Sequence, residues 1–209
     1  MATEQELARV YSVSRITARR ALDELAQHHF VARKRRVGTT VIFRPPAKPI
    51  EANIDQAVDS LLELGRVTRV RVLEIRRETV TPSIAEALAL PAGAGVVRAV
   101  RVRYLDGEPL GHVVSYVPAE VGAAVTRAAL AKSPILAVLR NAGHRLGKAT
   151  QIIAAVLADP PISAALAVEP RAAILRIART VCDDTGRPIL VTLAHYRSDR
   201  YHLRLDLHA

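Results

Sequence analysis

The chain has 209 residues, a formal net charge of +10 and a single cysteine, Cys182. Half of it is hydrophobic, yet only 3% is aromatic and there is no Trp, so its core must be aliphatic. These figures exclude an internal disulfide, a four-thiolate zinc site and global disorder, and they fit a cytoplasmic protein of one or two domains. No apolar run reaches the ~18 residues of a membrane span; the best, 152–168, is broken by Asp159, Pro160 and Pro161. The N-terminus carries early acids and no apolar stretch of the signal-peptide kind. The charge is uneven: residues 1–48 hold 10 Lys/Arg against 4 Asp/Glu, the remainder 20 against 16. A basic N-terminal module that meets a polyanion is the expectation.

The first elements read helix, turn, helix, hairpin. Thr3 and Glu6 form a capping-box pattern that opens a short helix running to about Tyr11. Ser12 and Val13 make a turn, and Ser14 caps a second helix reaching about His28. On that helix Ala18, Ala21, Leu22 and Leu25 form an apolar stripe, with Arg15 and Arg19 sharing the face beside it. Two β-capable runs, 30–36 and 39–43, surround a basic tip with Gly38. Three prolines within 44–50 read as a stiff linker. Beyond it, helices are expected at 52–64, 82–90, 119–130, 134–142 and 161–167. Strands are expected at 68–80, 95–105, 109–117, 147–158, 172–182, 188–197 and 201–207. Asp106-Gly107 and the Asp183-to-Gly186 turn are hairpin chemistry, so the sheet should be largely antiparallel and the fold class α+β. The two hairpins look alike, as a weak internal repeat would.

The N-terminal end of the second helix of a helix-turn-helix enters the major groove. Here that end carries Ser14, Arg15, Thr17 and Arg19, side chains that contact base edges and phosphates. The run 3–25, with the wing 37–41, resembles the winged helix-turn-helix of GntR-family bacterial transcription regulators. The resemblance implies DNA contacts from Gln5 on the first helix, from Ser14, Arg15, Thr17 and Arg19 on the recognition helix, and from Arg35, Arg36 and Gly38 at the wing tip. Family members usually carry a second wing glycine, and Arg36 stands in its place. They also have a helix ahead of the capping box, so the resemblance implies a module short of its first helix.

The later part resembles the effector-binding UTRA domain of the HutC subfamily, with a chorismate-lyase-like fold. The likeness rests on Ala87 to Pro91, Arg98 to Pro109, Tyr116 to Pro118, Ser133 to Leu136, Gly186 to Pro188 and Tyr196 to Tyr201. The domains implied are an incomplete DNA-binding module at 1–43, a linker at 44–50 and a UTRA domain at 51–209. Arg101 and Arg103 match the family's ligand-reading basic pair. At i and i+2 on a strand they share a face and can converge on one anion. Ser115 and Tyr116 lie on the returning strand, Thr192 and Tyr196 on the late one, and all four join the effector-binding set. A solvated sheet face, pairing the arginines with Glu74, Glu78 or Glu108, remains open, as does a plain core role for Tyr116.

Members that read amino-sugar phosphates tend to carry glutamates where this chain has Val113 and Leu190. The expected effector is therefore an organic acid or other anion with an apolar body. No metal spacing is found among the seven histidines, although His195 and His202 could face each other across a turn and His195 could touch a ligand. His28 and His29 close a helix, where imidazoles suit the dipole. Cys182 has no motif that would make it a nucleophile, Gly93-Ala94-Gly95 lacks the third glycine of a dinucleotide loop, and no catalytic residue or cofactor is expected. The function implied is a ligand-responsive transcription regulator: a homodimeric repressor released from a palindromic double-stranded DNA operator by a small anionic metabolite, with no membrane partner. Two alternatives are a ligand-binding module that has lost DNA binding through N-terminal truncation, and a lyase-like enzyme on the same C-terminal fold.

Overall fold

A computed structural model of the chain describes residues 3–27, 30–34, 38–41, 50–53 and 67–204. The chain divides into two compact units, Met1–Pro46 and Ala47–Ala209.

In the first unit, helix α1 spans Glu4–Val10. The Thr3 hydroxyl accepts from the Glu6 N–H at 3.2 Å, and the Thr3 N–H donates to the Glu6 carboxylate at 2.7 Å. Two of the donors a helix start leaves open are thus satisfied. Ser12 takes a positive φ of 52°, which turns the chain sharply. Helix α2 follows at Arg15–Gln27, with the Ser14 Oγ accepting from the Thr17 N–H at 3.1 Å. Strands β1 (Val31–Lys34) and β2 (Gly38–Val41) pair antiparallel, Val31 opposite Val41 and Lys34 opposite Gly38. Ala18, Leu22 and Val31 are buried. Ala21 and Leu25, expected on the same stripe, are exposed, as are Val10, Tyr11 and Ile16.

The second unit is built on a six-stranded sheet in the order β4-β5-β6-β9-β8-β7, antiparallel throughout. The strands are β4 (Arg69–Thr79), β5 (Gly95–Leu105), β6 (Glu108–Pro118), β7 (Leu146–Leu157), β8 (Ala173–Asp183) and β9 (Pro188–Arg197). Asp106 and Gly107 both take positive φ, 53° and 83°, as a two-residue hairpin with the sheet's own twist demands. The two look-alike hairpins, β5–β6 and β8–β9, meet at the centre of the sheet along β6 and β9. Outside it, β10 (Tyr201–Arg204) pairs in parallel with β3 (Ile50–Asn53), a pairing the sequence did not suggest.

Four helices cover the sheet. On one face lie α4 (Arg127–Lys132) and α5 (Ile135–Asn141), whose Leu130, Leu136 and Leu139 pack with Val97, Val117, Val181 and Leu190. The other face carries α3 (Pro82–Ala87), with Ile84 and Leu88 against Val96 and Val191. It also carries α6 (Pro160–Leu166), with Ile162 and Leu166 against Ile174. Alternation along each strand sends one set of side chains to each face.

Three expected elements need correction. The helix foreseen at 119–130 is a 3-10 turn at Gly122–Ala124 followed by α4, restarted where the Thr126 Oγ1 accepts from the Ala129 N–H at 3.2 Å. A Cβ at Gly122 would sit 2.5 Å from the Val97 Cγ2, so this turn presses directly on the sheet. The helix foreseen at 82–90 ends at Ala87, because Ala89 turns to a positive φ of 51°. The helix foreseen at 52–64 begins as strand β3, with 54–66 outside the described residues. The expected linker likewise lies outside them except for Ile50, which opens β3, as do His28 and His29.

Candidate functional site

The first unit offers an exposed basic helix start. Ser14, Arg15, Thr17 and Arg19 are all exposed around the first turns of α2, and the Ser14 and Thr17 hydroxyls lie 2.8 Å apart. Ser14 therefore serves the helix as its cap while its hydroxyl faces water with Thr17. Gln5 lies exposed on α1. Gly38 opens β2 with φ of 101°, a conformation that suits glycine. Arg35 and Arg36 fall outside the described residues.

The second unit holds a cavity on the α4–α5 face of the sheet. Arg101 and Arg103 project from β5 and are buried, at 2% and 6% exposure. The Arg101 Nη2 donates to the Ser115 Oγ at 2.6 Å, and Ser115 shares a 3.2 Å hydrogen bond with the Thr192 hydroxyl. The Arg103 Nη1 donates to the Thr68 Oγ1 at 3.0 Å. The solvated-face alternative is not what the structure shows, since Glu74 and Glu78 pair with Arg76 and Arg98 instead. Burial, reinforced by the charge of Arg103, pushes the Arg101 guanidinium well below its ordinary range, to about 9. Its Nε is buried without a hydrogen-bond partner.

The two arginines and Pro134 form the wall between two spaces. One is a slot of about 30 Å³ that runs across the sheet past Val113, Leu190, Thr192, Ala194 and Tyr196 to Arg179. The other is a basin of about 360 Å³ bordered by Thr68, Arg69, Lys132 and Ser133, within the size range of small-molecule sites. No carboxylate lines either space among the described residues. The Tyr196 ring lies flat over Gly111, where a Cβ would sit 2.5 Å from two ring carbons, and stacks on Tyr201 with centroids 4.3 Å apart.

Of the six residues expected here, Arg101, Arg103, Ser115, Thr192 and Tyr196 come together. Tyr116 does not: adjacent to Ser115 on β6, it points to the opposite face, packing beside the Ile84–Leu88 cluster and interacting with Arg98. Val113 and Leu190, singled out as missing carboxylates, do line the slot. Sequence reading missed Arg179, whose signal was available: it stands two residues after the buried Ile177, on the inward face of β8. It also missed Thr68, Lys132 and Gly111, which no local pattern marks. His195 does not face His202; it stands opposite His112 on β6, both Nδ1 atoms buried without a partner, while His202 is exposed on β10. Among the described residues no group of three metal-binding side chains occurs, and no helix is long and apolar enough to cross a membrane.

A capped basic helix with a β-wing in one unit, and a cavity with buried arginines on an antiparallel sheet in the other, define a regulator that joins a DNA-reading module to an effector-binding one. The chain belongs to the UTRA-domain family, whose model matches residues 63–202, and the model described as bacterial regulatory proteins, gntR family, matches residues 2–41. It is similar to the HTH-type transcriptional regulator Rv0792c of Mycobacterium tuberculosis, 28% identical over 209 residues, 98% of this chain and 76% of the relative. An Escherichia coli K12 protein named "Probable fructoselysine utilization operon transcriptional repressor" is 33% identical over 116 residues, 56% of this chain and 47% of its own. The crystal structure of PhnF from Mycobacterium smegmatis matches with a TM-score of 0.67 and 25% identity, over 100% of this chain and 92% of that one. The protein is a transcription regulator and not an enzyme.

Proposed function

We propose that the protein represses transcription as a cytoplasmic homodimer on a palindromic operator and is released by a small organic anion with an apolar body. In this reading residues 1–43 bind DNA, 44–50 link, and 51–209 hold the effector. Gln5, Ser14, Arg15, Thr17, Arg19, Arg35, Arg36 and Gly38 contact DNA. Arg101, Arg103, Ser115, Thr192 and Tyr196 contact effector; Tyr116 drops out because it lies on the far face. One observation carries the effector class: two buried arginines face a cavity with no carboxylate among its described lining residues. A buried cation is costly until an opposite charge joins it.

Two contacts support a route outward. Tyr196 walls the slot and stacks on Tyr201, which opens β10. Strand β10 is paired with β3, where Tyr201 stands opposite Ile50 at the end of the proline-rich linker. An effector that displaces Tyr196 shifts the anchor of that linker, and with it the equilibrium between head positions.

The test is fluorescence anisotropy on the palindromic DNA upstream of the protein's own gene, against scrambled DNA, with salt titration. Specific binding that weakens log-linearly with salt is expected, and Arg15→Ala or Arg19→Ala should cost about 1–3 kcal/mol with relaxed base preference. Organic anions should release the DNA. Equal binding to both DNAs, or release by sugar phosphates alone, overturns the corresponding half of the reading.

A further inference from the structure

The slot beyond Arg101 and Arg103 ends at a third arginine. Arg179 projects from β8 into the same space, and its guanidinium donates from Nε and Nη2 to the Gln151 Oε1, the former at 2.8 Å. Like Ser115 for Arg101 and Thr68 for Arg103, Gln151 is a neutral partner that orients a guanidinium without cancelling its charge. Burial, with Arg103 adding to it against Tyr196 and Tyr201, lowers the affinity of Arg179 for its proton. Tyr201 supplies no negative charge, because burial pushes its phenol upward. Three cations thus line one slot with no carboxylate among the described lining residues.

Their spacing matters more than their number. The Arg101 guanidinium is fixed over β6 by Ser115, and that of Arg179 is fixed at β7 by Gln151. In the strand order β6-β9-β8-β7, the backbones that carry these two anchors are three strand spacings apart, about 14 Å. Between them lie Ile177, Val113, Ala194 and Leu190. A slim chain with an acid at each end can offer one carboxylate to the guanidinium held by Ser115 and the other to the guanidinium held by Gln151.

We propose that Arg179 is a second anion-binding end of the effector site, and that the effector is a short dianion with its two acidic groups on opposite ends of an apolar body. The inference rests on the proposed effector pocket and narrows it.

The experiment measures binding to the full-length protein by isothermal titration calorimetry, using butyrate and hexanoate as monoacids, succinate, glutarate and adipate as diacids, and inorganic phosphate as a single-centre dianion. The best diacid should bind about 10- to 100-fold more tightly than the monoacids, the factor a hydrogen bond to a charged group carries. Arg179→Gln should erase that difference and Arg179→Lys should keep part of it, while Arg101→Gln should weaken both series. Diacids no tighter than monoacids, a preference that survives Arg179→Gln, or phosphate as the tightest ligand would overturn the second end and leave the pocket standing. Absence of binding by every anion, with a folded protein by circular dichroism, would overturn pocket and second end together.

Discussion

Replacing Arg101 by methionine should stabilise the ligand-free protein while destroying its response to effector. The guanidinium is 2% exposed, its Nε has no partner, and the neighbouring cation Arg103 repels it. The fall of its pKa from the ordinary guanidinium range to about 9, at about 1.36 kcal/mol per pKa unit, means that holding the charge costs on the order of 5 kcal/mol. Against this stands the hydrogen bond from Arg101 to Ser115, about 1.5–3 kcal/mol for a charged donor. Ser115 keeps Thr192 as a partner after the substitution, so no polar group is stranded. Methionine refills a comparable volume with a flexible apolar chain. A net gain of about 2 kcal/mol is expected, in line with other replacements of buried charge by apolar side chains. For a chain of this size that raises the melting temperature by roughly 4–8 °C. Scanning calorimetry of both proteins without ligand, then with a stabilising organic acid, reads both effects. An unchanged or lower melting temperature for Arg101→Met would refute the argument, because it would show that the fold already compensates the charge that the effector is invoked to neutralise.

Two further outcomes are expected. Gly111→Ala places a Cβ where the Tyr196 ring now lies, at 2.5 Å; it should cost about 1–3 kcal/mol by overpacking and weaken effector binding, and equal denaturation midpoints for the two proteins would contradict the close contact. His112 is lowered by burial and by the charges of His195 and Arg98, against Asp159; His195 is lowered by burial and Arg176, again against Asp159. Both are therefore neutral in the fold above pH 6.5, and below it the unfolded chain takes up protons that the folded one resists, so their stabilisation is present above pH 6.5 and lost as pH falls. The melting temperature should drop between pH 6.5 and 5, and the His112→Asn/His195→Asn variant should flatten that limb; an identical slope would remove the pair from the account.

Much of the local architecture was written in the sequence because its causes are local. Thr3 with Glu6, Ser14 and Asp106-Gly107 fix helix starts and a hairpin through contacts between near neighbours, and the limits of β5 and β9 follow from the hairpin turns beside them. The family likeness added the pairing of Arg101 with Arg103 and the importance of Val113 and Leu190. Errors came where distant parts decide. Nothing near Gly122 announces that Val97 leaves no room for a Cβ there. No local feature pairs β3 with β10 across about 150 positions of chain. Tyr116 and Ser115 are neighbours in sequence, and only the register of β6 against β5 and β9 decides which of them meets Arg101.

By itself, then, the sequence determined most of the elements, the antiparallel hairpins and the two-part chemistry of a basic head and an arginine-bearing sheet, since propensity, capping and charge act over a few residues. The tertiary structure alone decided that Arg101 and Arg103 are buried rather than solvated, that Arg179 closes the same slot, and that His195 meets His112 rather than His202. Those outcomes depend on strand order and on what covers each face of the sheet, and a guanidinium acquires its need for an anion only once that cover removes it from water.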